Sequence, residues 1–149
     1  MASNSTRRHV QPARTARIVG GRRAGAGLAR RARSGTHHGR AIEMTDRIVL
    51  VDTPNGEAQA LAVFAKTTAL IPGTPTRSVV ALHHHWDHLS GIRTAIDEGA
   101  TIVTHETNRA FLELAATAPH TIHPDGLGLS KTPLKIQLVA TDATLTDDA

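Results

Sequence analysis

The sequence predicts an α/β protein in which helices pack against a sheet. Short β-branched apolar runs alternate along the chain with segments whose apolar residues recur at helical spacing. Gly, Pro and Asp residues mark the boundaries between these segments. The 149 residues are enough for one modest domain with its own core. Such alternation is typical of layered folds, so helices covering a sheet are expected.

The predicted elements begin after residue 34. An alternating run, Ala41–Met44, precedes a buried-type strand at Arg47–Asp52, and a turn then leads into an amphipathic helix from Glu57 to about Leu70. The remaining predicted elements are a strand at Val79–Leu82, a helix around Ile92–Ile96, a strand at Ala100–Thr104, a helix over Thr107–Ala115, a loop at Pro119–Pro133 and a strand at Leu134–Val139.

The first part of the chain has a different composition. Residues 1–40 hold ten arginines and no acidic residue, whereas residues 41–149 hold all thirteen Asp and Glu. Few large apolar residues and repeated glycines predict a disordered basic arm over residues 1–33, followed by the domain at 34–149. The arm fits a targeting presequence, a basic segment for a polyanion, or a reading-frame extension without function, and the last is favoured. Nucleic acid is not the expected partner, because no aromatic residue precedes residue 60 to stack on bases.

Cysteine and hydropathy limit the class of protein further. The chain has no cysteine, which excludes disulfides and thiolate metal sites, so any metal ligand must be nitrogen or oxygen. No apolar run approaches the roughly 18–20 residues of a membrane span. We therefore expect a cytoplasmic protein without a membrane span.

A run of histidines follows the Val79–Leu82 strand. Side chains alternate on an extended backbone, so His83 and His85 are expected on one face and His84 on the other. Two imidazoles about 6–7 Å apart at Cα can close on one zinc ion. Asp87 and His88 can then offer an oxygen and a nitrogen to a second metal. A chance polyhistidine tract is the alternative, but it does not require the acid at that offset.

The pattern His83-x-His85-x-Asp87-His88, between a strand and Gly91, resembles the signature of the metallo-β-lactamase-fold metallohydrolases. The resemblance runs from about residue 35 to the end of the chain. It implies an α/β fold that is the first half of an αββα sandwich. In the implied zinc-dependent hydrolase, His83 and His85 hold the first zinc, and Asp87 and His88 hold the second. A metal-bound hydroxide attacks a carbonyl or similar electrophile of a small-molecule substrate that the sequence does not identify, with Asp87 as the catalytic residue that orients it.

Members of this family carry three further ligands downstream, and the chain stops at Ala149 before their expected positions. The resemblance therefore implies a C-terminally truncated domain that binds one or two zinc ions weakly. His105, His120 and His123 do not occur in the expected context and are not predicted as ligands. Half of a sandwich also leaves one sheet face exposed, which predicts a homodimer or a complementing chain. The alternative function is a non-catalytic fragment that binds metal weakly or acts as an interaction module.

Three further positions have expected roles near the histidines. Asp52 either supports the histidine loop, as in resembling proteins, or stabilises a helix start. Trp86 is expected to pack beside the loop. His37 and His38 either line the mouth of the cleft or are exposed polar residues.

Overall fold

The computed structural model describes residues 15–19, 22–25, 28–34, 37–53 and 55–146, with side chains from residue 40 onward. The strands are β1 (Thr15–Val19), β2 (Arg22–Gly25), β3 (Leu28–Ser34), β4 (His37–Glu43), β5 (Ile48–Val51), β6 (Thr76–Ala81), β7 (Thr101–His105), β8 (Lys135–Val139) and β9 (Asp142–Thr146). The helices are α1 (Glu57–Leu70), α2 (Trp86–Leu89), α3 (Ile92–Asp97), α4 (Arg109–Thr117) and α5 (Gly126–Ser130). None of the helices in these described ranges is long and apolar enough to cross a membrane.

Six strands form one mixed sheet in the order β3-β4-β5-β6-β7-β8. The pairs β3–β4 and β4–β5 are antiparallel, whereas β5, β6, β7 and β8 run parallel. The helices α1 to α5 lie in the crossovers between the parallel strands. Parallel strands end at the same edge of a sheet, so the segments that follow β5, β6 and β7 come close together there. This edge is where the histidine loop lies.

The predicted α/β class is confirmed, and the helix predicted from Glu57 to about Leu70 is α1. Two elements that follow α4 were not predicted. Helix α5 lies in the segment expected to be a loop, because it is only five residues long and contains two glycines, which weaken any helical pattern. Its first turn is held by the N-cap residue Asp125, whose side chain accepts a hydrogen bond from the backbone N–H of Gly128 at 2.8 Å. Strand β9 is the second missed element.

The N-terminal segment contains strands where its composition predicts a disordered arm. Residues 1–14 lie outside the described residues. Strands β1 and β2 pair with each other, and β1 also pairs antiparallel with β9 to form a second, three-stranded sheet. Strand β3 pairs with β4 over seven residues and forms an edge of the main sheet. Strand β9 lies far from β1 in sequence, and the composition of the arm reveals neither this pairing nor the ladders β1–β2 and β3–β4. The division into an arm and a domain stays a prediction.

One face of the main sheet packs against the helices. Leu50 of β5, Val79 of β6 and Ile102 of β7 are each fully buried on this face. The helices contribute Val63 and Phe64 from α1, Ile92, Ala95 and Ile96 from α3, and Leu112 from α4. Alternate residues of a strand point to opposite faces of the sheet. The apolar residues of the predicted strands therefore contribute to two cores, one on each face.

The other face of the sheet is also buried, which corrects an expectation. The sequence predicted that this face stays exposed until a second chain covers it. Val49, Val80 and Val103 on this face are at most 4% exposed, and Leu145 of β9 packs against their cluster. Exposure of this face therefore gives no reason to expect a homodimer or a complementing chain.

Candidate metal centre

The histidine loop joins β6 to α2 at the carboxyl edge of the sheet. Strand β6 ends at Ala81, and four residues later His85 is the N-cap of α2, with an extended backbone at φ −66° and ψ 146°. Leu89, which is 2% exposed, anchors the short helix in the core. The backbone N–H of Thr53, just after β5, donates to the carbonyl of His88 at 2.9 Å. Two strand ends thus fix the loop from both sides.

Three of the four predicted ligands lie together on this loop. His83, His85 and Asp87 each offer one ligand atom, and these atoms all lie within 4.8 Å of one another. The ring centroids of His83 and His85 are 4.6 Å apart, as expected for two side chains that share a face. This is the only such group of three among the described residues.

His88, the fourth predicted ligand, lies beside this group. Its ring centroid is 4.0 Å from that of His83, and its Nε2 is 3.4 Å from Oδ2 of Asp87. Asp87 therefore lies close to His88 as well as to His83 and His85. The division of ligands between two metals stays a prediction, and the position of Asp87 is compatible with it.

Asp52 holds His88 in place. Its Oδ2 lies 2.8 Å from Nδ1 of His88, and its Oδ1 accepts the backbone N–H of Leu82 at 3.3 Å. Within the described chain Gly56, not Asp52, is the N-cap of α1, and no side chain caps that helix. Of the two roles left open by the sequence, the structure supports the loop-supporting one. A proton on Nδ1 directed at the carboxylate leaves Nε2 of a neutral His88 as the nitrogen able to bind a metal.

The backbone at Asp52 is unusual for a residue with a side chain. Its φ of 64° lies in the left-handed region, which Asp and Asn tolerate better than most residues. Asp52 is 7% exposed, and its backbone N–H donates to the carbonyl of Val80 at 3.0 Å. The turn that follows β5 thus places the buried carboxylate of Asp52 within hydrogen-bond distance of the start and the end of the histidine loop.

The electrostatics of the cluster favour a neutral imidazole at His83. Partial burial is the main factor that lowers the pKa of His83 below its ordinary value, and the nearby rings of His88 and His85 lower it further. The carboxylates of Asp52 and Asp87 act in the opposite direction. A lowered pKa keeps a nitrogen lone pair available near neutral pH, which a metal ligand requires.

The two other residues of the loop lie differently. The ring of His84 contacts Phe111 of α4, with centroids 6.0 Å apart, and His84 is not part of the three-residue group. Trp86, expected to pack beside the loop, is 68% exposed. The side chains of His37 and His38 lie outside the described residues.

The downstream histidines are engaged elsewhere or exposed. Nε2 of His105 lies 3.0 Å from the carbonyl of Ala140, and its Nδ1 accepts the backbone N–H of Thr107. Nδ1 of His120 lies 3.3 Å from a carboxylate oxygen of Asp125, and His123 is exposed. His105 therefore acts as a cap at the end of β7.

Sequence reasoning missed a buried polar contact behind the loop. Thr104 of β7 donates its hydroxyl proton to the carbonyl of Ala81, the last residue of β6, at 2.8 Å. The side-chain amide of Asn108 in turn donates to the hydroxyl of Thr104 at 2.9 Å. Both polar residues are at most 7% exposed. A Thr in a strand followed four residues later by Asn is too common a pattern to have revealed this contact.

The donor set of the cluster fits zinc. Two imidazole nitrogens and one carboxylate oxygen are a ligand combination that catalytic zinc sites use, with a further position left to water or substrate. A chain without cysteine offers no thiolate to select softer metals. Asp52 lies where an outer carboxylate would orient His88 if that histidine bound a metal.

Comparison with solved structures finds metallo-β-lactamases. No family model and no curated protein sequence matches the chain. The metallo-β-lactamase SMB-1 bound to 2-mercaptoethanesulfonate aligns at 23% identity and TM-score 0.54, over 76% of this chain and 44% of that one. The Rm3 metallo-β-lactamase aligns at 20% identity and TM-score 0.52, over 75% and 42% of the two chains.

A third structure, the class B3 di-zinc metallo-β-lactamase LRA-12 from an Alaskan soil metagenome, aligns at 16% identity and TM-score 0.51. The alignment covers 78% of this chain and 42% of that chain. At these identities the likeness is one of fold. The chain spans less than half the length of each of these three structures.

Proposed function

We propose that this chain, whose structure matches part of the metallo-β-lactamase fold as its sequence predicts, is a zinc-dependent hydrolase. The observation that carries the proposal is the convergence of His83, His85 and Asp87, whose ligand atoms lie within 4.8 Å of one another. These residues, together with His88, would hold one or two zinc ions. Zinc bound there would supply a Lewis acid that lowers the pKa of water towards neutrality.

The side chains of the loop have separate parts in this proposal. Asp87 is about one-third exposed and lies beside His88, so its carboxylate can accept a proton from a nearby water molecule. Asp52 fixes the ring of His88 and its tautomer through Nδ1. The substrate would carry a carbonyl or a similar electrophile, since all three compared structures are named metallo-β-lactamases and the fold is shared.

A second candidate is metal binding without turnover. The group that the structure describes contains three donor residues, and His105, the first histidine after the loop, has both ring nitrogens in hydrogen bonds. A chain that holds zinc through few ligands binds it more weakly and orients water less well. Turnover measurements, not the fold, separate the two candidates.

The test compares zinc content and turnover in the tag-free full-length chain. We expect about one or two zinc ions per chain, measured by elemental analysis after gel filtration, with turnover of p-nitrophenyl acetate or a chromogenic lactam. His85→Ala should lose at least half of the zinc, whereas His84→Ala is the matched control and should keep it. Zinc below about half an ion per chain and unchanged in His85→Ala would overturn the proposal. Full zinc content without turnover would favour the second candidate.

A further inference from the structure

A cleft of about 530 Å³ lies between α1, the start of β6 and the end of α3. Thr76, the first residue of β6, lines this cleft, whereas the histidine loop follows the other end of the same strand. Glu98, which follows α3, lines it as well. The cleft therefore lies at the amino edge of the parallel strands, and it shares no described residue with the candidate metal centre.

Most of the lining of this cleft is apolar. Leu61, Phe64 and Ala65 lie at helical spacing on α1, and Pro75 directly precedes β6. Phe64 is 8% exposed and belongs to the core, whereas Leu61 is 45% exposed, so the cleft opens to solvent on one side. Its volume is within the roughly 300–1,000 Å³ that is usual for small-molecule sites. The cleft can therefore hold an apolar group as large as an aromatic ring.

Two polar groups of the cleft are available as hydrogen-bond acceptors. The hydroxyl of Thr68 donates its proton to the carbonyl of Phe64 at 3.1 Å, so it offers a ligand the lone pairs of its oxygen. Glu98 is the only charged residue among the described residues that line the cleft, and an ionised carboxylate only accepts. Its carboxylate has no hydrogen bond or ion pair within the described part of the chain. The ammonium of Lys135 donates to the carbonyl of the next residue, Gly99, instead.

We propose that this cleft binds a small organic cation, a primary ammonium ion that carries an apolar group. The ammonium has only N–H donors, which match the carboxylate of Glu98 and the hydroxyl oxygen of Thr68. Its apolar group packs against Leu61 and Phe64 and loses contact with water. The inference does not depend on the proposed hydrolase function, because the cleft lies at the other edge of the sheet from His83, His85 and Asp87.

An NMR titration of the ¹⁵N-labelled full-length chain with phenethylamine tests the proposal and locates the ligand. We expect saturable shifts of the amide signals of Leu61, Ala65, Thr76 and Glu98, with a dissociation constant of about 1 mM, because the ligand is small and the cleft is open on one side. The amide signals of the histidine loop should not shift. Phenylacetate has the same ring with a negative charge, and ethylamine has the ammonium without the ring. Each should bind at least about tenfold more weakly.

Two variants test the two parts of the cleft separately. Glu98→Gln keeps the size of the side chain and removes its charge, so it should weaken the binding of phenethylamine about threefold to fivefold. Glu113→Gln is the matched control, because it removes an exposed carboxylate of α4 that does not line the cleft. Ala65→Phe adds a ring at an exposed position of the cleft and should abolish binding. Urea unfolding of each variant checks that the fold is kept.

Each result of these titrations either supports or overturns the proposal. Saturable shifts at the cleft that Glu98→Gln weakens and Ala65→Phe removes would support it. Equal affinity of phenethylamine for Glu98→Gln and the parent chain, or equal affinity of the parent chain for phenethylamine and phenylacetate, would show that the carboxylate does not select a cation. Shifts that persist in a folded Ala65→Phe would place the ligand elsewhere on the protein. No saturation up to about 10 mM phenethylamine would overturn the site as a whole.

Discussion

The carboxylate of Asp52 and the imidazole of His88 are 36 residues apart in sequence, yet Oδ2 and Nδ1 lie 2.8 Å apart. The contact joins the end of β5 to the loop after β6. The same carboxylate also accepts the backbone N–H of Leu82 at the start of that loop. One buried side chain therefore positions the first and last parts of the candidate metal centre.

Asp52→Ala should weaken zinc binding without removing a ligand. We expect the dissociation constant to rise about 10-fold to 100-fold, because His88 loses the carboxylate that orients its ring. Competition with a chromophoric chelator measures this constant. Glu98→Gln removes an exposed carboxylate elsewhere on the surface and should not change it. Equal affinities of Asp52→Ala and the parent chain would show that the contact does not orient a ligand.

His105→Ala should leave the zinc content unchanged. Both ring nitrogens of His105 are used in contacts with Ala140 and Thr107, so the residue has a structural role at the end of β7. We expect a loss of about 0.5–1.5 kcal/mol in the free energy of unfolding, as for a typical lost hydrogen bond. Elemental analysis and urea denaturation measure the two quantities. A fall in zinc content that matches His85→Ala would instead make His105 a ligand.

Gly91→Ala should destabilise the packing of the histidine loop against α1. A Cβ at Gly91 would lie 2.6 Å from the Cβ of Ala60 and 2.9 Å from the carbonyl oxygen of Thr53. We expect a cost of about 1–3 kcal/mol, typical of overpacking. Denaturant unfolding of Gly91→Ala, Ala60→Gly and the double variant measures the free energy of unfolding of each. The coupling energy is the difference between the double variant's cost and the sum of the two single costs. Because Ala60→Gly removes one of the two clashes, the costs should be less than additive, and strict additivity would contradict this contact.

Acid should remove the stabilisation that Asp125 provides. Hydrogen bonds from Arg93 are the main factor that holds the pKa of Asp125 well below its ordinary value, with help from the N–H of Gly128. A carboxyl with a depressed folded pKa stabilises the fold above its unfolded pKa of about 3.9. That contribution is lost as the pH falls from about 4 through the folded pKa.

The variant Asp125→Ala tests this assignment. At pH 7 we expect the free energy of unfolding to fall by about 3–5 kcal/mol, because Arg93, which is 8% exposed, would stay buried without its carboxylate partner. The difference in the free energy of unfolding between this variant and the parent chain should decrease below about pH 4. Glu113→Ala is the control, because its ion pair with Arg109 is about half exposed on both sides and contributes at most about 1 kcal/mol. A difference that stays constant down to about pH 2 would exclude the ionised pair as its source.

The sequence alone predicts those features that depend on residues close together in the chain. The amphipathic helix from Glu57 is α1, and the alternation of side chains predicted that His83 and His85 share a face, where their ring centroids lie 4.6 Å apart. The assignment of Asp87 and His88 to a second metal stays a prediction. The sequence does not predict side-chain roles that depend on a contact between distant segments of the chain. The role of Asp52 depends on the parallel pairing of β5 with β6, which the residues around Asp52 do not encode.

Helix α5 shows the same limit. Its five residues have little helix propensity, and the segment is held by contacts from outside it. Arg93 of α3 donates to both carboxylate oxygens of Asp125, and the backbone N–H of Gly126 donates to Glu57 at 2.8 Å. Tertiary contacts of this kind override local propensity, so the segment was predicted as a loop.

The candidate ligands all fall within the six residues from His83 to His88, and this closeness has a thermodynamic consequence. An unfolded chain keeps the same four side chains within reach of one another, so it would retain part of the proposed affinity for zinc. A ligand stabilises a fold only through the difference between its affinities for the folded and unfolded chains. Zinc should therefore raise the melting temperature less than its affinity alone suggests. Part of the affinity that depends on folding would come from Asp52, whose carboxylate follows β5 and contacts His88.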